Sequence, residues 1–443
     1  MAPSTTHPVD HGYAWVVLAS CCVMRAFNDG FWASLGIFFI KWEVYFGASA
    51  TKTSLIGSLY MLVLFTMAPV SSALARRLTH RVVVIASGIL TVICCFATSF
   101  ITEFWHLFIA MTLLSFALGM SFQVAHSGFN TYFDKHLTSA YMLNHASSGL
   151  GIFIVPPLME LLISNYGWKG AFQITSAIMA NICVCGLMLR MPPQELKDKE
   201  TDDLRIKPLD DAKDGDKTNC DMLRKYMPLL CNIRFLFQVG LVSVLNAGCV
   251  TAIIYFVPYA SDVGLSDLKC SILMLVFGAS ITVARFVPIG WKVNISASTI
   301  GGVAYLLSGL SLITFAFMWT LNQLMVVAVV FGASYGLGYS MMMNIVSYPA
   351  GLKEKASWGV AFLPLNGIGI AAYVFIGGVL FDITGSYKSS LLLCGVSTLC
   401  VALIVFFYSG LIRWQHCRRT DQSQICSNIQ YLTLLNDVSV TNV

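Results

Sequence analysis

The sequence predicts an all-α membrane protein with twelve transmembrane helices arranged in two six-helix halves. Hydrophobic residues make up 57% of its 443 residues and charged residues only 11%, whereas about 25% of the residues in soluble globular proteins are charged. Twelve apolar runs have the length of about 20 residues that a helix needs to cross a bilayer. The runs are too long for the strands of a membrane β-barrel, which alternate in polarity over about 10 residues.

One long polar insert divides the runs into two groups of six. The first group lies at 14–40, 53–75, 82–101, 105–131, 139–163 and 170–190, and the second at 229–258, 268–291, 296–318, 322–348, 356–381 and 388–412. The insert has dense mixed charge and few large apolar residues, so it cannot bury a core. We therefore predict an N-terminal half at 1–190, a cytoplasmic linker at 191–228, a C-terminal half at 229–413 and a cytoplasmic tail at 414–443. This is the layout of two similar halves packed around a central pathway.

The orientation follows from the distribution of lysine and arginine between the predicted loops. If both termini are cytoplasmic, the inner loops receive most of the basic residues, including the group Arg76, Arg77 and Arg81. The outer side then receives only the lysines at positions 41, 52, 169, 269 and 388. Because basic residues concentrate in cytoplasmic loops, the sequence predicts two cytoplasmic termini.

Three charged residues lie deep within the apolar runs, away from the ends of the predicted spans. Arg25 and Asp29 lie in the first run, and Arg285 lies in the eighth. A charge inside a bilayer is costly, so such residues are usually paired and functional. The guanidinium of Arg285 cannot deprotonate and offers a planar fork that matches a carboxylate. The alternatives for Arg285 are a structural ion pair, or a side chain that extends to the cytoplasmic interface.

Two short motifs resemble signatures of a known family. Residues 10–15, DHGYAW, resemble the D-G-G-W-G-W motif that begins the first helix of monocarboxylate transporters, a solute-carrier family of the major facilitator superfamily. Asp10, Gly12 and Trp15 are retained. We expect Trp15 to lie in the interfacial aromatic belt. We expect the Asp10 carboxylate to cap the first helix by accepting hydrogen bonds from its backbone N–H groups.

The second signature precedes the fifth predicted helix. The family signature is a Tyr-Phe pair followed by a Lys-Arg-Arg triplet. Here the pair is present as Tyr132 and Phe133, and the triplet is reduced to Lys135 and His136. Arg77 belongs to a segment similar to the gating loop of the superfamily. We expect these residues to support topology and gating rather than to contact the solute.

The resemblance implies the major facilitator fold and transport by alternating access, and it implies that Arg285 binds the carboxylate of the solute. Two positions depart from the proton-coupled lactate carriers of the family. Ile281 replaces an aspartate one turn before the arginine, and Ala33 replaces a lysine of the first helix. Ordinary lactate–proton symport is therefore in doubt.

The partner of Asp29 is open at this stage. In one hypothesis Asp29 replaces the lost acid, pairs with Arg285 when the site is empty, and couples transport to protons. In the other it pairs with Arg25, four residues away on the same helical face. A third possibility is that it pairs with neither. His126 and His145 are the other candidates for proton coupling, because imidazole titrates near neutral pH.

Several further polar residues are candidates to line the cavity. Together with Arg285 and Asp29, the predicted substrate-binding residues are Asn28, Tyr60, His126 and Asn366. The competing interpretation of each is an interhelical hydrogen bond.

The expected function is secondary-active or facilitative transport of small monocarboxylates or related organic solutes. One alternative is a facilitative carrier of zwitterionic or uncharged solutes, such as an amino acid or a creatine-like compound. Another is a receptor or accessory protein that does not transport. No nucleophile–base pair, paired aspartates or metal-ligand spacing predicts an enzyme, and we expect no cofactor or metal.

The expected partners are the lipid bilayer of the plasma membrane and a small organic anion or related solute, with no nucleic acid. The family resemblance implies a possible single-span immunoglobulin-like ancillary subunit. The ending Thr441-Asn442-Val443 has the form of a ligand for a PDZ domain.

Overall fold

The structure is a computed structural model that describes residue 10 and residues 12–189, 233–290, 297–350 and 355–407. It is helical, and no strand occurs within those ranges. The predicted linker at 191–228 and the predicted tail at 414–443, with its PDZ-like ending, lie outside the described residues.

Seven helices correspond to the first six predicted spans. They are α1 (Tyr13–Ala33), α2 (Leu35–Phe46), α3 (Ala50–Leu78), α4 (His80–Thr98), α5 (Phe104–Ser127), α6 (Leu137–Met179) and α7 (Asn181–Met188). Only Ser34 separates α1 from α2, so together they take the place of the first span. Within α6, Gly167 has φ 70° and ψ 169°, a conformation that glycine adopts at little cost. The bend at Gly167 divides α6 where the sequence predicts the boundary between two spans.

Six helices correspond to the remaining spans. They are α8 (Ile233–Asp262), α9 (Asp267–Gly290), α10 (Ala297–Phe315), α11 (Leu321–Ala350), α12 (Lys355–Thr384) and α13 (Lys388–Phe407). Among the described residues, nine helical stretches are long and apolar enough to cross a membrane. One of them, Leu137–Met188, has 52 residues and therefore the length of two spans. With the α1–α2 stretch and α10, these helices are consistent with the twelve predicted spans.

Two helix pairs form the most extensive contacts between the first six spans and the last six. Helix α3 packs against α12, and α6 packs against α9, while α1 lies on α6 and α11 lies on both α9 and α10. The α6–α9 crossing is close, because a Cβ atom on Gly149 would lie 2.8 Å from the Cα atom of Thr282. This close approach brings Arg285, one turn beyond Thr282, against the backbone of α6.

Candidate functional site

The buried carboxylate of Asp29 is held entirely by its own helix. Its Oδ2 atom lies 2.5 Å from Nε of Arg25, and its Oδ1 atom accepts a hydrogen bond of 2.9 Å from the indole N–H of Trp32. The spacings of four and three residues place both donors on the same face of α1. The structure thus selects Arg25 as the partner of Asp29, and the alternative pair with Arg285 is not formed.

Arg25 connects α1 to two other helices. Its Nη1 atom lies 2.9 Å from Nδ1 of His126 on α5, and its Nη2 atom donates to the hydroxyl of Tyr339 on α11 at 3.1 Å. The guanidinium carbon also lies 4.6 Å from the centre of the Phe122 ring, a cation–π distance. Each nitrogen of the Arg25 guanidinium therefore has a partner.

Arg285 has far fewer partners at the same depth. Its side chain is buried, with 2% of the residue exposed, so it does not extend to the interface. Its Nη1 atom donates to the backbone carbonyl of His145 at 2.8 Å, and its guanidinium carbon lies 4.9 Å from the centre of the Tyr339 ring. Within the described part of the chain, no carboxylate lies within 4.0 Å of Arg285, and its Nε atom has no hydrogen-bond partner.

The two guanidinium groups share Tyr339, which is not among the site residues predicted from the sequence. The ring of Tyr339 also lies 5.4 Å from that of His145, which in turn lies 5.6 Å from the ring of His126. Arg25, Arg285, His126, His145 and Tyr339 thus form one polar centre between α1, α5, α6, α9 and α11. The available signal was the pair Tyr335 and Tyr339, four residues apart in an apolar run and therefore on one helical face.

Three other predicted site residues make different contacts. Asn28 donates to the carbonyl of Met24 and, at 3.4 Å, to Ser121 on α5. Asn366 accepts from Asn246 at 3.0 Å, so it joins α12 to α8. Tyr60 is fully buried, with its ring 6.1 Å from that of Phe31. The contacts of Asn28 with Ser121 and of Asn366 with Asn246 are interhelical hydrogen bonds of the ordinary kind.

Asp10 does not cap α1 as predicted, and it instead binds the loop that precedes α6. Its carboxylate accepts hydrogen bonds from the backbone N–H groups of Asp134, Lys135 and His136 at 2.9–3.3 Å, directly before α6. Gly12 is the N-cap of α1, which receives no side-chain cap. Desolvation acts to raise the pKa of the Asp10 carboxyl, but the three backbone donors outweigh it and hold the pKa below its ordinary value.

The two family signatures contact one another. The ring of Trp15 packs edge-to-face on that of Phe133 at 5.2 Å, and the Asp10 N–H donates to the carbonyl of Tyr132 at 3.1 Å. The Lys135 side chain is exposed beside this contact, and that of Arg77 is exposed at the end of α3. The signatures therefore join the start of α1 to the start of α6, away from the polar centre.

The fold and the site define a membrane transporter: span-length helices surround a buried polar centre that contains an arginine with no acidic partner in the described chain. The chain belongs to the Major Facilitator Superfamily, whose family model matches residues 21–362. Because this superfamily consists of transporters, the chain is a transporter and not an enzyme.

The individual relatives with similar sequences are monocarboxylate transporters. The chain is 27% identical to monocarboxylate transporter 12-B of Danio rerio, over 96% of this chain and 92% of the relative. It is 29% identical to monocarboxylate transporter 12 of Homo sapiens, over 91% and 82%. It is 24% identical to monocarboxylate transporter 4 of Mus musculus, over 91% and 84%. These similarities confirm the relationship to monocarboxylate transporters that the two signatures indicate.

Proposed function

We propose that the protein carries small monocarboxylates across the plasma membrane by alternating access, with Arg285 binding the carboxylate. The observation that carries this proposal is the buried guanidinium of Arg285, which has no carboxylate partner among the described residues. A buried charge without a partner is costly, and an anionic solute supplies the missing partner. The names of the relatives support the same solute class.

The charge balance of the polar centre favours a monoanion over the alternative solutes. Asp29 neutralises Arg25, so Arg285 leaves one positive charge uncompensated in the polar centre. A zwitterion would require a free carboxylate for its cationic group, and Asp29 is already occupied by Arg25 and Trp32. An uncharged solute would leave the Arg285 charge unpaired.

We further propose that transport is facilitative, because Asp29 is not free to exchange between Arg285 and a proton. Both termini would be cytoplasmic, as the distribution of basic residues suggests. Uptake of labelled pyruvate at equal internal and external pH, compared with uptake into a more alkaline interior, tests the coupling. We expect equal initial rates at matched membrane potential. A rate that follows the proton gradient in the wild type and not in Asp29→Asn would assign coupling to Asp29.

Uptake measurements test the role of Arg285. We expect surface-expressed wild type to take up labelled pyruvate or L-lactate, and Arg285→Ala to reduce uptake about a hundredfold, as for loss of a buried charged partner. Arg285→Lys keeps the charge but loses the planar fork, so it should restore only part of the uptake. Arg81→Ala, an exposed cation at the start of α4, is the matched control. Failure of the wild type to take up any carboxylate from a panel would overturn the proposal.

A further inference from the structure

The contact with Arg25 determines which nitrogen of His126 carries a proton. The Nη1 atom of Arg25 lies 2.9 Å from Nδ1 of His126. A guanidinium only donates hydrogen bonds, so Nδ1 must accept and cannot carry a proton itself. The imidazole is therefore neutral, with its proton on Nε2.

Arg25 is itself fixed in this orientation from several sides. Its Nε atom pairs with Asp29, whose second oxygen is held by Trp32, and its Nη2 atom donates to Tyr339. Rotating the guanidinium away from His126 would break these contacts together. The network therefore holds His126 in one tautomer.

The protonated Nε2 atom of His126 donates to no acceptor in the described protein. His126 is 5% exposed, and its Nε2 atom is buried without a hydrogen-bond partner in the described chain. Leaving a buried donor of this kind unsatisfied destabilises the protein. The His126 ring adjoins His145, and the backbone carbonyl of His145 receives Arg285. The unused donor thus belongs to the same polar centre as the unpaired guanidinium.

We propose that the Nε2–H group of His126 is a second donor to the transported solute, which rests on the proposed function of Arg285. Arg285 binds the carboxylate, and His126 donates to an acceptor oxygen of the same solute. That oxygen is either the second carboxylate oxygen or an adjacent carbonyl or hydroxyl. Arg25 and Asp29 are positioning residues, since they act on the solute through His126.

This arrangement adds specificity without adding charge. The neutral imidazole leaves the polar centre with one uncompensated positive charge, so it selects a monoanion that also carries a suitably placed acceptor. His126 lies on α5 and Arg285 on α9, so one solute molecule would bridge the first six spans and the last six. Such bridging is how a solute favours closure of the halves around it.

A pair of amide substitutions separates this role from a structural one. The side chain of Gln places an N–H donor where Nε2 lies, whereas that of Asn places an acceptor where Nδ1 lies. We expect His126→Asn to raise the KM for labelled pyruvate about tenfold, as for loss of a hydrogen bond to a charged group, and His126→Gln to raise it much less. If His126 only accepts a hydrogen bond from Arg25, His126→Gln should raise the KM more than His126→Asn does. That result would overturn the proposal.

The tautomer can be measured without any solute. In ¹⁵N-histidine-labelled protein at pH 7, the signal that disappears in His126→Gln belongs to His126. We expect that signal to show a neutral ring protonated on Nε2, and to show both tautomers in the double variant Arg25→Gln/Asp29→Asn. An imidazolium, or a proton on Nδ1, would refute the inference even if pyruvate is transported. Conversely, a wild type that shows the expected tautomer but no uptake would contradict only the proposed function.

The titratable or charged groups around the His126 ring bear on that measurement. They are Arg25 and Asp29 on α1 and Tyr141 and His145 on α6. Tyr339 on α11 contacts two of these neighbours, Arg25 and His145. Arg25 is the one whose contact with Nδ1 excludes a second proton.

Discussion

Arg25 and Arg285 are buried to the same extent, with 2% of each residue exposed, and both contact Tyr339. They differ in the carboxylate that neutralises them. Arg25 has Asp29 on its own helix, whereas Arg285 has no acid within 4.0 Å among the described residues. Burial by itself therefore does not distinguish the two arginines. What distinguishes Arg285 from Arg25 is the lack of a neutralising carboxylate among the described residues.

The two environments also differ in how they form. The partners of Arg25 on α1 follow from helical spacing and require no tertiary structure. Arg285 receives only a backbone carbonyl and the face of an aromatic ring, both supplied by other helices. Retaining an unpaired charge at a cost in stability is typical of functional sites. Substituting Arg25 should therefore lower the free energy of unfolding, whereas substituting Arg285 should raise it.

The largest effect is expected at Arg25. Arg25→Met leaves the Asp29 carboxylate buried with no cation, and loss of one partner of a buried ion pair costs about 3–5 kcal/mol. Arg25→Met/Asp29→Asn removes both charges but keeps an acceptor for Trp32, so it should recover most of the loss. Unfolding of detergent-solubilised protein, followed by tryptophan fluorescence, measures both. Equal destabilisation of the single and double variants would show that the pair is not what stabilises this region.

The opposite sign is expected at Arg285. Arg285→Met removes a buried charge that has no compensating carboxylate in the described chain, so the free energy of unfolding should rise by roughly 1–3 kcal/mol. Uptake of pyruvate should fall to background in the same variant. Measured under the same conditions as Arg25→Met, a loss of stability would mean that Arg285 has a structural partner, and the comparison would fail.

The sequence was sufficient for the positions of the helices, because apolar length and polar breaks are local properties. Each predicted span has a helical counterpart, and even the boundary at Gly167 appears as a bend within α6. Arg285 could be identified for a similar reason. A lone cation in a long apolar run is visible without any knowledge of packing.

The partners of these residues depend on which helices meet. The sequence indicates that Asp10 accepts backbone hydrogen bonds, but the loop before α6, and not α1, supplies the N–H groups that it binds. Asp29 had two possible partners, and only the structure decides between them. Tyr339 is an uncharged aromatic residue in an apolar run, so the sequence does not distinguish it from a packing residue. In the structure it contacts both guanidinium groups.

A smaller effect is expected at Asp10, a carboxylate satisfied by backbone donors rather than by an arginine. Asp10→Ala should lower the unfolding temperature less than Arg25→Met does, because the loop before α6 loses a hydrogen-bond acceptor but no buried charge is left unpaired. The pKa of Asp10 is lower in the folded protein than in the unfolded chain. Its contribution is therefore present above the unfolded pKa and is lost as the pH falls through the folded one.

Unfolding at pH 7 and in increasingly acidic buffer tests this prediction. The difference between wild type and Asp10→Ala should shrink below about pH 4, the ordinary range of an aspartate. Asp134→Ala, an exposed neighbour whose backbone N–H is retained, is the control. A difference that grows in acid would contradict the role of the Asp10 carboxylate as an acceptor for these backbone N–H groups.

The smallest effect is expected at Lys41, a cation with two acidic neighbours near the protein surface. Its Nζ atom lies 2.9 Å from Asp267 on α9 and 4.0 Å from Glu160 on α6, and 28% of its side chain is exposed. Exposed ion pairs contribute about 0–1 kcal/mol, and salt screens them. Lys41→Met should therefore change the unfolding temperature slightly at low salt and not at all at high salt. The Arg25–Asp29 pair is shielded from solvent, so the effect of Arg25→Met should persist at high salt. A decrease in the unfolding temperature of Lys41→Met that does not depend on salt would show that the ion pairs of Lys41 stabilise the fold as the Arg25–Asp29 pair does. Burial would then not explain the difference between these two sets of ion pairs.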